Sequence, residues 1–248
     1  MTDQSFRQRT RESAKLTVRR TLQRFDLDVS RGPFVSRLVA TLESREISTV
    51  LDVGANVGQY ATLLRGAGFG GRVISCEPLR GAYAELAGRA ARDDGWTALN
   101  RAVGARPGTT SINVAGNSYS SSIRPMTRAH VEAAPGSDYV GVEEVDVTTV
   151  ADLVREHDVD PARTLLKIDT QGYEDEVLAG AGDLVGVFGA VQMELSFVEL
   201  YEGQRLYDDL VTAMADAGYR IQQLEPGISD VRGRLLQVDG LFVLATAD

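Results

Sequence analysis

The stretch LDVGANVGQY at residues 51–60 joins an apolar run to a helical pattern through a glycine-rich loop. A loop for a nicotinamide dinucleotide would read G-x-G-x-x-G, and the spacing G-x-N-x-G departs from that pattern. Glycine lets a backbone pass close beneath a ligand, and the free N–H groups at the helix start can bind a carboxylate. With an acid at the strand end, the pattern D-x-G-x-N-x-G instead indicates a loop for S-adenosylmethionine.

Acidic and amide side chains at the ends of the first three predicted strands would complete this cofactor site. Asp52 can attract the ammonium group of the methionine moiety, directly or through water. Glu77 follows the second strand, where an acid accepts hydrogen bonds from both ribose hydroxyls. Asn100 follows the third strand and can either contact the adenosine or form a turn. The predicted cofactor residues are Asp52, Gly54, Asn56, Gly58, Tyr60, Glu77 and Asn100.

Two acids and a lysine belong to the next pair of buried strands, at the edge where open α/β sheets bind their ligands. Lys167 and Asp169 are two positions apart and share a face of one strand, and Glu194 lies in the following strand. The chain has only two lysines, so a lysine in an apolar strand is expected to pair with Asp169 or Glu194. Such a pair can also do no more than brace the sheet.

Two chemical roles stay open for these residues. Methyl transfer to an alcohol requires that the proton of the acceptor be removed or masked. Asp169 can act as the general base, with Lys167 fixing its orientation. Alternatively, Asp169 and Glu194 can bind Mg²⁺ or Mn²⁺, which lowers the pKa of the acceptor, with Asp239 as a third oxygen ligand.

The segment after the third strand, residues 104–162, would lie over the acceptor. His130 belongs to it and can serve as a base near neutral pH. The stretch GNSYSSSIRP at residues 116–125 is rich in hydroxyls, and it is either a solvated loop or a lid that excludes water. As a lid it would contact the acceptor. The predicted substrate residues are Asn117, Tyr119, Ser120, Ser121, Tyr201 and Gln204.

Strands and helices alternate along most of the chain, which predicts a parallel, doubly wound α/β sheet. The predicted strands cover 48–54, 72–78, 96–104, 164–170 and 190–196, and the predicted helices cover 59–68, 79–92, 173–180 and 204–217. The alternation breaks at 104–162, which we interpret as an insertion of hairpin, loop and helix. The chain closes with two extended runs around a glycine-rich turn, so its last strand should enter the sheet antiparallel. One domain, 34–248, therefore follows a basic N-terminal extension, 1–33.

The net charge of −9 opposes a nucleic-acid partner, and no apolar run is long enough to span a membrane. The first thirty residues lack the apolar core of a signal peptide, so we expect a cytoplasmic protein. Residues 1–33 hold eight basic and four acidic residues, which gives them +4 against −13 for the rest. Their apolar positions predict a helix that packs on its own domain or on a second subunit, and the second case would give a homodimer.

Six segments carry a resemblance to a known family, namely LDVGANVGQYATLL, SCEP, LNRAVG, LLKIDTQGYEDEVLAGA, MELSFVELYEGQ and QVDGLFVL. In that order they resemble the FkbM family of S-adenosylmethionine-dependent methyltransferases over roughly residues 45–245. The run LLKIDTQGYE is the most distinctive part. The resemblance implies a seven-stranded class I methyltransferase fold and the methylation of hydroxyls of sugars or polyketides.

We therefore predict O-methylation of a saccharide hydroxyl in a glycolipid, an oligosaccharide or a polysaccharide precursor. A mycobacterial-type mannoside or rhamnoside is the narrower prediction. The alternatives are an O-methyltransferase of a polyketide or macrolide, an NAD-dependent oxidoreductase on the same sheet, and a binding protein that keeps the cofactor alone. The acidic body and the absence of an N/D-P-P-Y/F motif oppose a methyltransferase for RNA or DNA.

Overall fold

The computed structural model describes residues 33–245 of the chain. Within them it has ten strands and seven α-helices. The strands are β1 (Thr49–Val53), β2 (Arg72–Cys76), β3 (Trp96–Leu99), β4 (Ala102–Val103), β5 (Gly108–Ala115), β6 (Tyr139–Thr148), β7 (Thr164–Ile168), β8 (Ala190–Ser196), β9 (Tyr219–Pro226) and β10 (Gln237–Leu244). The helices are α1 (Pro33–Ser44), α2 (Gln59–Gly66), α3 (Arg80–Ala90), α4 (Arg128–Ala133), α5 (Val150–Glu156), α6 (Glu174–Ala181) and α7 (Tyr207–Asp216).

Seven strands form the main sheet in the order β3-β2-β1-β7-β8-β10-β9. The first five of these pair in parallel, whereas β10 is antiparallel to both of its neighbours. Strands β1, β7 and β8 are buried along nearly their whole length, and their near-continuous apolar sequences suit a sheet that is covered on both faces. The predicted doubly wound sheet with an antiparallel last strand is confirmed.

The insertion between the third and fourth strands of the main sheet forms a sheet of its own, in the order β4-β6-β5. Strands β5 and β6 are the two arms of an antiparallel hairpin, and α4 lies in the connection between them. The single strand predicted at 96–104 is wrong, because the run divides into β3 in the main sheet and β4 in the small one. Between them, the amide of Asn100 donates to the carbonyl groups of Glu77 and Pro78 and turns the chain.

The register of the strands brings charged residues to one end of the main sheet. Asp52 in β1 lies opposite Lys167 in β7, and Lys167 in turn lies opposite Gln192 in β8. On the antiparallel side, Asp239 in β10 lies opposite Glu194. The main core includes fully buried side chains from these same strands, among them Leu51, Leu166, Val191 and Phe242. The apolar strands therefore fix the positions of the polar groups that lie among them.

Some predictions depend on features outside the described residues. The basic extension predicted at 1–33 lies almost wholly outside them, so its helix and the homodimer stay predictions. Among residues 33–245, no helix combines the length and the apolar character that a membrane crossing requires. The cytoplasmic location also stays a prediction.

Candidate active site

A cavity of about 350 Å³ lies at the carboxyl ends of β1, β2 and β7. The insertion and the turn before β10 complete its wall. The predicted residues that line it are Gly54, Asn56, Glu77, Tyr119, Ser120, Ser121, Asp169 and Glu194. Residues predicted for the cofactor and residues predicted for the acceptor therefore meet in one cavity. The predicted residues outside its lining are Asp52, Gly58, Tyr60, Asn100, Asn117, His130, Lys167, Tyr201, Gln204 and Asp239.

The loop between β1 and α2 depends on two glycines in the left-handed region. Gly54 has φ +77°, and a Cβ atom there would lie 1.8 Å from the carbonyl oxygen of Asp169. Gly58 has φ +86°, and a Cβ atom there would lie 2.7 Å from the indole of Trp96. Asn56 also has a positive φ of 46°, a conformation that asparagine tolerates better than most residues. The loop can approach the end of β7 closely because no side chain intervenes at Gly54.

Glu77 is the acid that best fits a bound nucleoside. It lines the cavity with only 4% of its surface exposed. One carboxylate oxygen accepts from the N–H of Asn56 at 2.7 Å, and the other accepts from the N–H of Leu79 at 2.9 Å. Burial raises the pKa of Glu77 to about 7, although both of these N–H groups act to lower it. Each oxygen keeps capacity for a further hydrogen bond, as two ribose hydroxyls would require.

Asp52 is outside the cavity lining, and its contact with the methionine ammonium, directly or through water, stays a prediction. Its side chain is fully buried and lies 3.2 Å from the ammonium of Lys167. The hydroxyl of Ser75 donates to its other oxygen at 3.0 Å. Lys167 also lies 3.2 Å from Asp169, so it joins the acid below the cofactor loop to the acid that lines the cavity. Burial alone would lower the pKa of Lys167, but the charges of Asp169 and Asp52 raise it above its usual value.

Two other predicted cofactor residues support the site from outside its lining. The hydroxyl of Tyr60 donates to Gln192 at 2.7 Å, and the ammonium of Lys167 lies 5.2 Å from the centre of the Tyr60 ring. Asn100 donates to the carbonyl groups that flank the turn after Glu77. Asn100 therefore has the turn-forming role that the sequence left open, and the contacts of Tyr60 and Asn100 with the cofactor stay predictions. The side chain of Tyr60 packs against Lys167, and the side chain of Asn100 stabilises the turn after Glu77.

Asp169 and Glu194 form a pair of carboxylates on the cavity wall. The side-chain nitrogen of Gln171 donates to Asp169 at 2.9 Å and to Glu194 at 2.7 Å. Burial, and after it the nearby charges of Asp169 and Asp239, raises the pKa of Glu194 well above its usual value. Glu194 therefore holds a proton more readily than a fully exposed glutamate does. Our sequence analysis missed Gln171, although it lies only two positions after Asp169.

His130 lies behind the cavity and not on its wall. Its Nε2 atom is 3.0 Å from the hydroxyl of Ser120, and its ring centre is 4.9 Å from that of Tyr201. Burial lowers the pKa of His130, which favours the neutral ring. Asn117 donates to the same hydroxyl at 3.1 Å. Ser120 lines the cavity and His130 does not, and the role of His130 as the base stays a prediction.

Three residues of the predicted acceptor set are structural supports in this arrangement. Tyr201 donates through its hydroxyl to the side-chain oxygen of Gln171 at 2.8 Å. Gln204 accepts from the backbone N–H groups of Leu200 and Tyr201, and so closes the turn that carries Tyr201. Asn117 holds the Ser120 hydroxyl. Asn117, Tyr201 and Gln204 make these contacts within the protein and are outside the cavity lining, so their contacts with the acceptor stay predictions, whereas Tyr119, Ser120 and Ser121 line the cavity.

Comparison with known families agrees with this geometry. A sequence profile described as the methyltransferase FkbM domain matches residues 52–221, which is more than half of the chain. The chain belongs to the FkbM methyltransferase family. The matched range begins at Asp52 and includes the cofactor loop, Glu77, and the turn that carries Gln171. Membership of this family supports S-adenosylmethionine-dependent methyltransferase activity.

Comparison with solved structures gives the class I methyltransferase fold. The methyltransferase FkbM of Methylobacillus flagellatus KT has 18% identity and a TM-score of 0.50, over 80% of this chain and 44% of that one. The magnesium protoporphyrin IX methyltransferase ChlM of Synechocystis PCC 6803, with bound S-adenosylmethionine, has 15% identity and a TM-score of 0.45, over 86% and 78%. This chain thus spans less than half the length of the FkbM structure. No curated protein matches the chain.

The acidic residues of this FkbM-family site do not fit a divalent metal. Among residues 33–245, no group of three or more His, Cys, Asp or Glu side chains is arranged to hold an ion. Burial and the charge of Asp169 raise the pKa of Asp239 to about 6, and Asp239 lies outside the cavity lining. The two oxygens of Asp169 already contact the amide of Gln171 and the ammonium of Lys167. The predicted Mg²⁺ or Mn²⁺ site is therefore not supported.

Glu174 is a second residue that the sequence analysis of this FkbM-family chain missed. One of its carboxylate oxygens accepts from the N–H and the hydroxyl of Thr170 and from the N–H of Gly172. Burial raises the pKa of Glu174 to about 7, against the effect of these donors. The acid in DTQGYE therefore shapes the turn between β7 and α6. Its position at the start of a predicted helix could have indicated this role, because acids there accept hydrogen bonds from nearby backbone N–H groups.

Proposed function

We propose that this chain transfers a methyl group from S-adenosylmethionine to a hydroxyl group of a saccharide. The observation that carries the proposal is the placement of two carboxylates, Asp169 and Glu194, on the wall of the cavity that Glu77 also lines. Glu77 and the glycine loop would hold the cofactor, and the carboxylates would serve the acceptor. Both halves of a methyl-transfer reaction then meet within one enclosed space.

The cofactor half would be held by residues with matched chemistry. Glu77 would accept hydrogen bonds from the ribose, and Gly54 lines the cavity and lets the loop lie against the end of β7. Helix α2 begins directly after the loop, so its first N–H groups can bind a carboxylate. When bound, S-adenosylmethionine supplies an electrophilic methyl group on a positively charged sulfur.

The acceptor half would use Asp169 as the general base. The ammonium of Lys167 lies 3.2 Å from Asp169, whereas burial raises the pKa of Glu194 and favours its protonated form. The acceptor hydroxyl would lose its proton to Asp169 as its oxygen forms the new bond to the methyl carbon. The carbon–sulfur bond breaks in the same step and its electron pair stays on sulfur, so the products are an ether and S-adenosylhomocysteine.

The wall around the carboxylates suits a saccharide. Hydroxyl and amide groups of Ser118, Ser120, Ser121 and Gln237 belong to the lining, and they can hydrogen-bond the many oxygens of a sugar. Tyr119 also belongs to the lining and is 59% exposed, so its ring is available to a sugar face at the entrance. A mannoside or rhamnoside is the narrower form of the proposal.

A polyketide hydroxyl is the second candidate acceptor. The observation that favours it is an apolar part of the lining, formed by Ile112, Ile123 and Ile228. A polyketide that carries the acceptor hydroxyl would bury more apolar surface there than a sugar would. The alternative of an NAD-dependent oxidoreductase is opposed by the match to the methyltransferase family.

The test is a screen of saccharide and polyketide acceptors with S-adenosylmethionine labelled in its methyl group. We expect label to enter a saccharide, and Asp169→Asn to reduce the turnover by about 10²-fold because general-base catalysis is lost. Asp209→Asn, which changes an exposed acid at the start of α7, is the matched control and should keep full turnover. Labelling of polyketides alone would replace the first candidate by the second, and full activity of Asp169→Asn would refute the base.

A further inference from the structure

The amide of Gln171 lies at the point where a cation would bridge two carboxylates. Its nitrogen is 2.9 Å from an oxygen of Asp169 and 2.7 Å from an oxygen of Glu194, and Gln171 itself lines the cavity. An amide nitrogen has two hydrogens, so it can donate to both acids at once. It therefore draws the two carboxylates together without adding a net charge.

The orientation of this amide is fixed by its partners. The hydroxyl of Tyr201 donates to the side-chain oxygen of Gln171 at 2.8 Å. The reverse orientation would set an amide oxygen against an oxygen of Asp169 and the amide nitrogen against the Tyr201 hydroxyl, whose hydrogen could then go to the carbonyl oxygen of Ser120. The orientation with the nitrogen toward Asp169 and Glu194 makes more hydrogen bonds and is the one that the structure has.

The backbone at Gln171 is held as firmly as its side chain. Its φ of 56° is in the left-handed region, which few residues other than glycine adopt. Its carbonyl oxygen accepts from the hydroxyl of Ser122 at 2.6 Å, which ties the turn to the insertion. At the following Gly172, a Cβ atom would lie 2.7 Å from Tyr201, so the close packing of this turn depends on a glycine. A strained conformation that several contacts hold in place is typical of functional positions.

We propose that Gln171 is a positioning residue that holds Asp169 and Glu194 as a pair, in the place that a divalent cation would otherwise occupy. The inference rests on the proposed function, since it assigns these acids to the acceptor. It also explains why the acids fail as a metal site. The amide bridges them from one side, and the ammonium of Lys167 takes the second oxygen of Asp169. Methyl transfer would then proceed without a metal ion.

The first experiment removes the amide that bridges the two acids and keeps the length of the side chain. Gln171→Met has a side chain of similar length and no N–H donor, and Gln222→Met changes an exposed glutamine of β9 as the matched control. We expect Gln171→Met to lower kcat by about 10²-fold through misplacement of the acids, while the KM for S-adenosylmethionine changes by less than about threefold. Tyr201→Phe, which frees the amide to rotate, should lower kcat in the same sense but less. A folded Gln171→Met enzyme with the kcat of the wild type would overturn the proposal.

The second experiment needs no acceptor, so it separates this inference from the proposed function. Gln171→Glu places a third carboxylate between the two acids, which completes an oxygen site for Mn²⁺. Titration followed by electron paramagnetic resonance should show one bound Mn²⁺ in Gln171→Glu and none in the wild type or in Gln222→Glu. Stoichiometric Mn²⁺ binding by the wild type that Glu194→Gln abolishes would overturn the inference, as would a Gln171→Glu variant that binds no Mn²⁺.

Chelation completes the comparison. Treatment of the wild type with EDTA should leave its turnover unchanged, and a loss that added Mg²⁺ or Mn²⁺ restores would contradict the bridge. If the Mn²⁺ titrations come out as expected and no hydroxyl acceptor is ever methylated, the bridge stands and the proposed function fails.

Discussion

As the proposed ribose-binding acid, Glu77 would make the binding of the cofactor depend on pH. Its pKa is raised to about 7 because its burial outweighs the two N–H groups that favour the charged form. Below that pH the carboxyl group is protonated, and one of its oxygens is no longer a full acceptor for a ribose hydroxyl. Above it the carboxylate can accept from both hydroxyls.

We therefore expect the affinity for S-adenosylhomocysteine to increase by about tenfold between pH 6 and pH 8, as the ionised fraction of Glu77 rises. Isothermal titration calorimetry over this range measures the change. Glu77→Gln is the control, since it should bind weakly at both pH values and show no such increase. An affinity that is flat or falls as the pH rises would assign the ribose to another residue.

Asp52 acts at the residue scale through Lys167. The two side chains are 3.2 Å apart and almost fully buried, so removal of the Asp52 charge breaks a buried ion pair and leaves Lys167 with Asp169 as its acidic partner. We expect Asp52→Asn to lower the free energy of unfolding by about 3 kcal/mol. Ser75→Ala, which removes the hydroxyl that donates to Asp52 and accepts from the indole N–H of Trp96, should cost about 2 kcal/mol.

Urea unfolding monitored by circular dichroism measures both losses. S-adenosylhomocysteine binding by the folded Asp52→Asn variant provides the independent check, and we expect it to stay within about threefold of the wild type. Unchanged stability together with lost binding would show that Asp52 contacts the cofactor after all.

At the scale of the elements, the close approach of the cofactor loop to the end of β7 should depend on Gly54. A Cβ atom there would lie 1.8 Å from a backbone oxygen that cannot move aside cheaply. Gly68, after α2, has φ +102° and open space around it, so it experiences the strain of a positive φ without the clash. Substitution by alanine at Gly54 and at Gly68 therefore separates the clash with the backbone of β7 from the strain of a positive φ.

We expect Gly68→Ala to cost about 1–2 kcal/mol of stability and to leave ligand binding unchanged. Gly54→Ala should cost clearly more and reduce the affinity for S-adenosylhomocysteine by about 10²-fold or more, since the loop must move away from β7. Thermal unfolding with and without the ligand measures both. Equal effects of the two variants would rule out the close approach as the reason for Gly54.

The turn between β7 and α6 should make stability depend on pH. Glu174 has its pKa raised to about 7, so the folded state binds its proton more tightly than the unfolded state does. The stabilisation from this group is complete below about pH 4.5 and is lost as the pH rises through about 7. A shift of this size corresponds to about 3 kcal/mol.

The free energy of unfolding of the wild type should therefore fall, relative to Glu174→Gln, between about pH 4.5 and pH 7. Urea titrations at several pH values test this. The difference between the two proteins isolates Glu174 from Glu77, whose raised pKa contributes a similar slope in both. A difference that does not vary with pH would contradict the assignment.

At the scale of the whole molecule, charge argues for an acceptor other than nucleic acid. The net charge of −9 repels a polyphosphate chain. We expect no binding of single-stranded RNA in fluorescence anisotropy, even at about 50 mM salt, where electrostatic attraction would be strongest. Binding that weakens steeply as salt is added would instead point to a basic surface, and the basic residues 1–33 would be the first place to look for it.

The arrangement of the strands could be predicted from the sequence because it depends on patterns along the chain. Buried parallel strands require long apolar runs, and a final pair without a helix between them requires an antiparallel strand. The register of such strands then determines that Asp52 and Lys167 lie side by side. The division of 96–104 into β3 and β4 could not be read in the same way, because it depends on the hydrogen bonds of Asn100 to a different strand end.

The sequence by itself determined the fold class and the need of Lys167 for a carboxylate partner, and it predicted the cofactor loop and the acid at Glu77. Each of these follows from local patterns or from the cost of burying a charge. Only the tertiary structure decided which acids face the cavity, because that depends on the partner that each carboxylate oxygen meets across the sheet. Asp52 turns to Lys167, whereas Asp169 and Glu194 meet the amide of Gln171. A glutamine with no signal in its spacing therefore lies at the centre of the site.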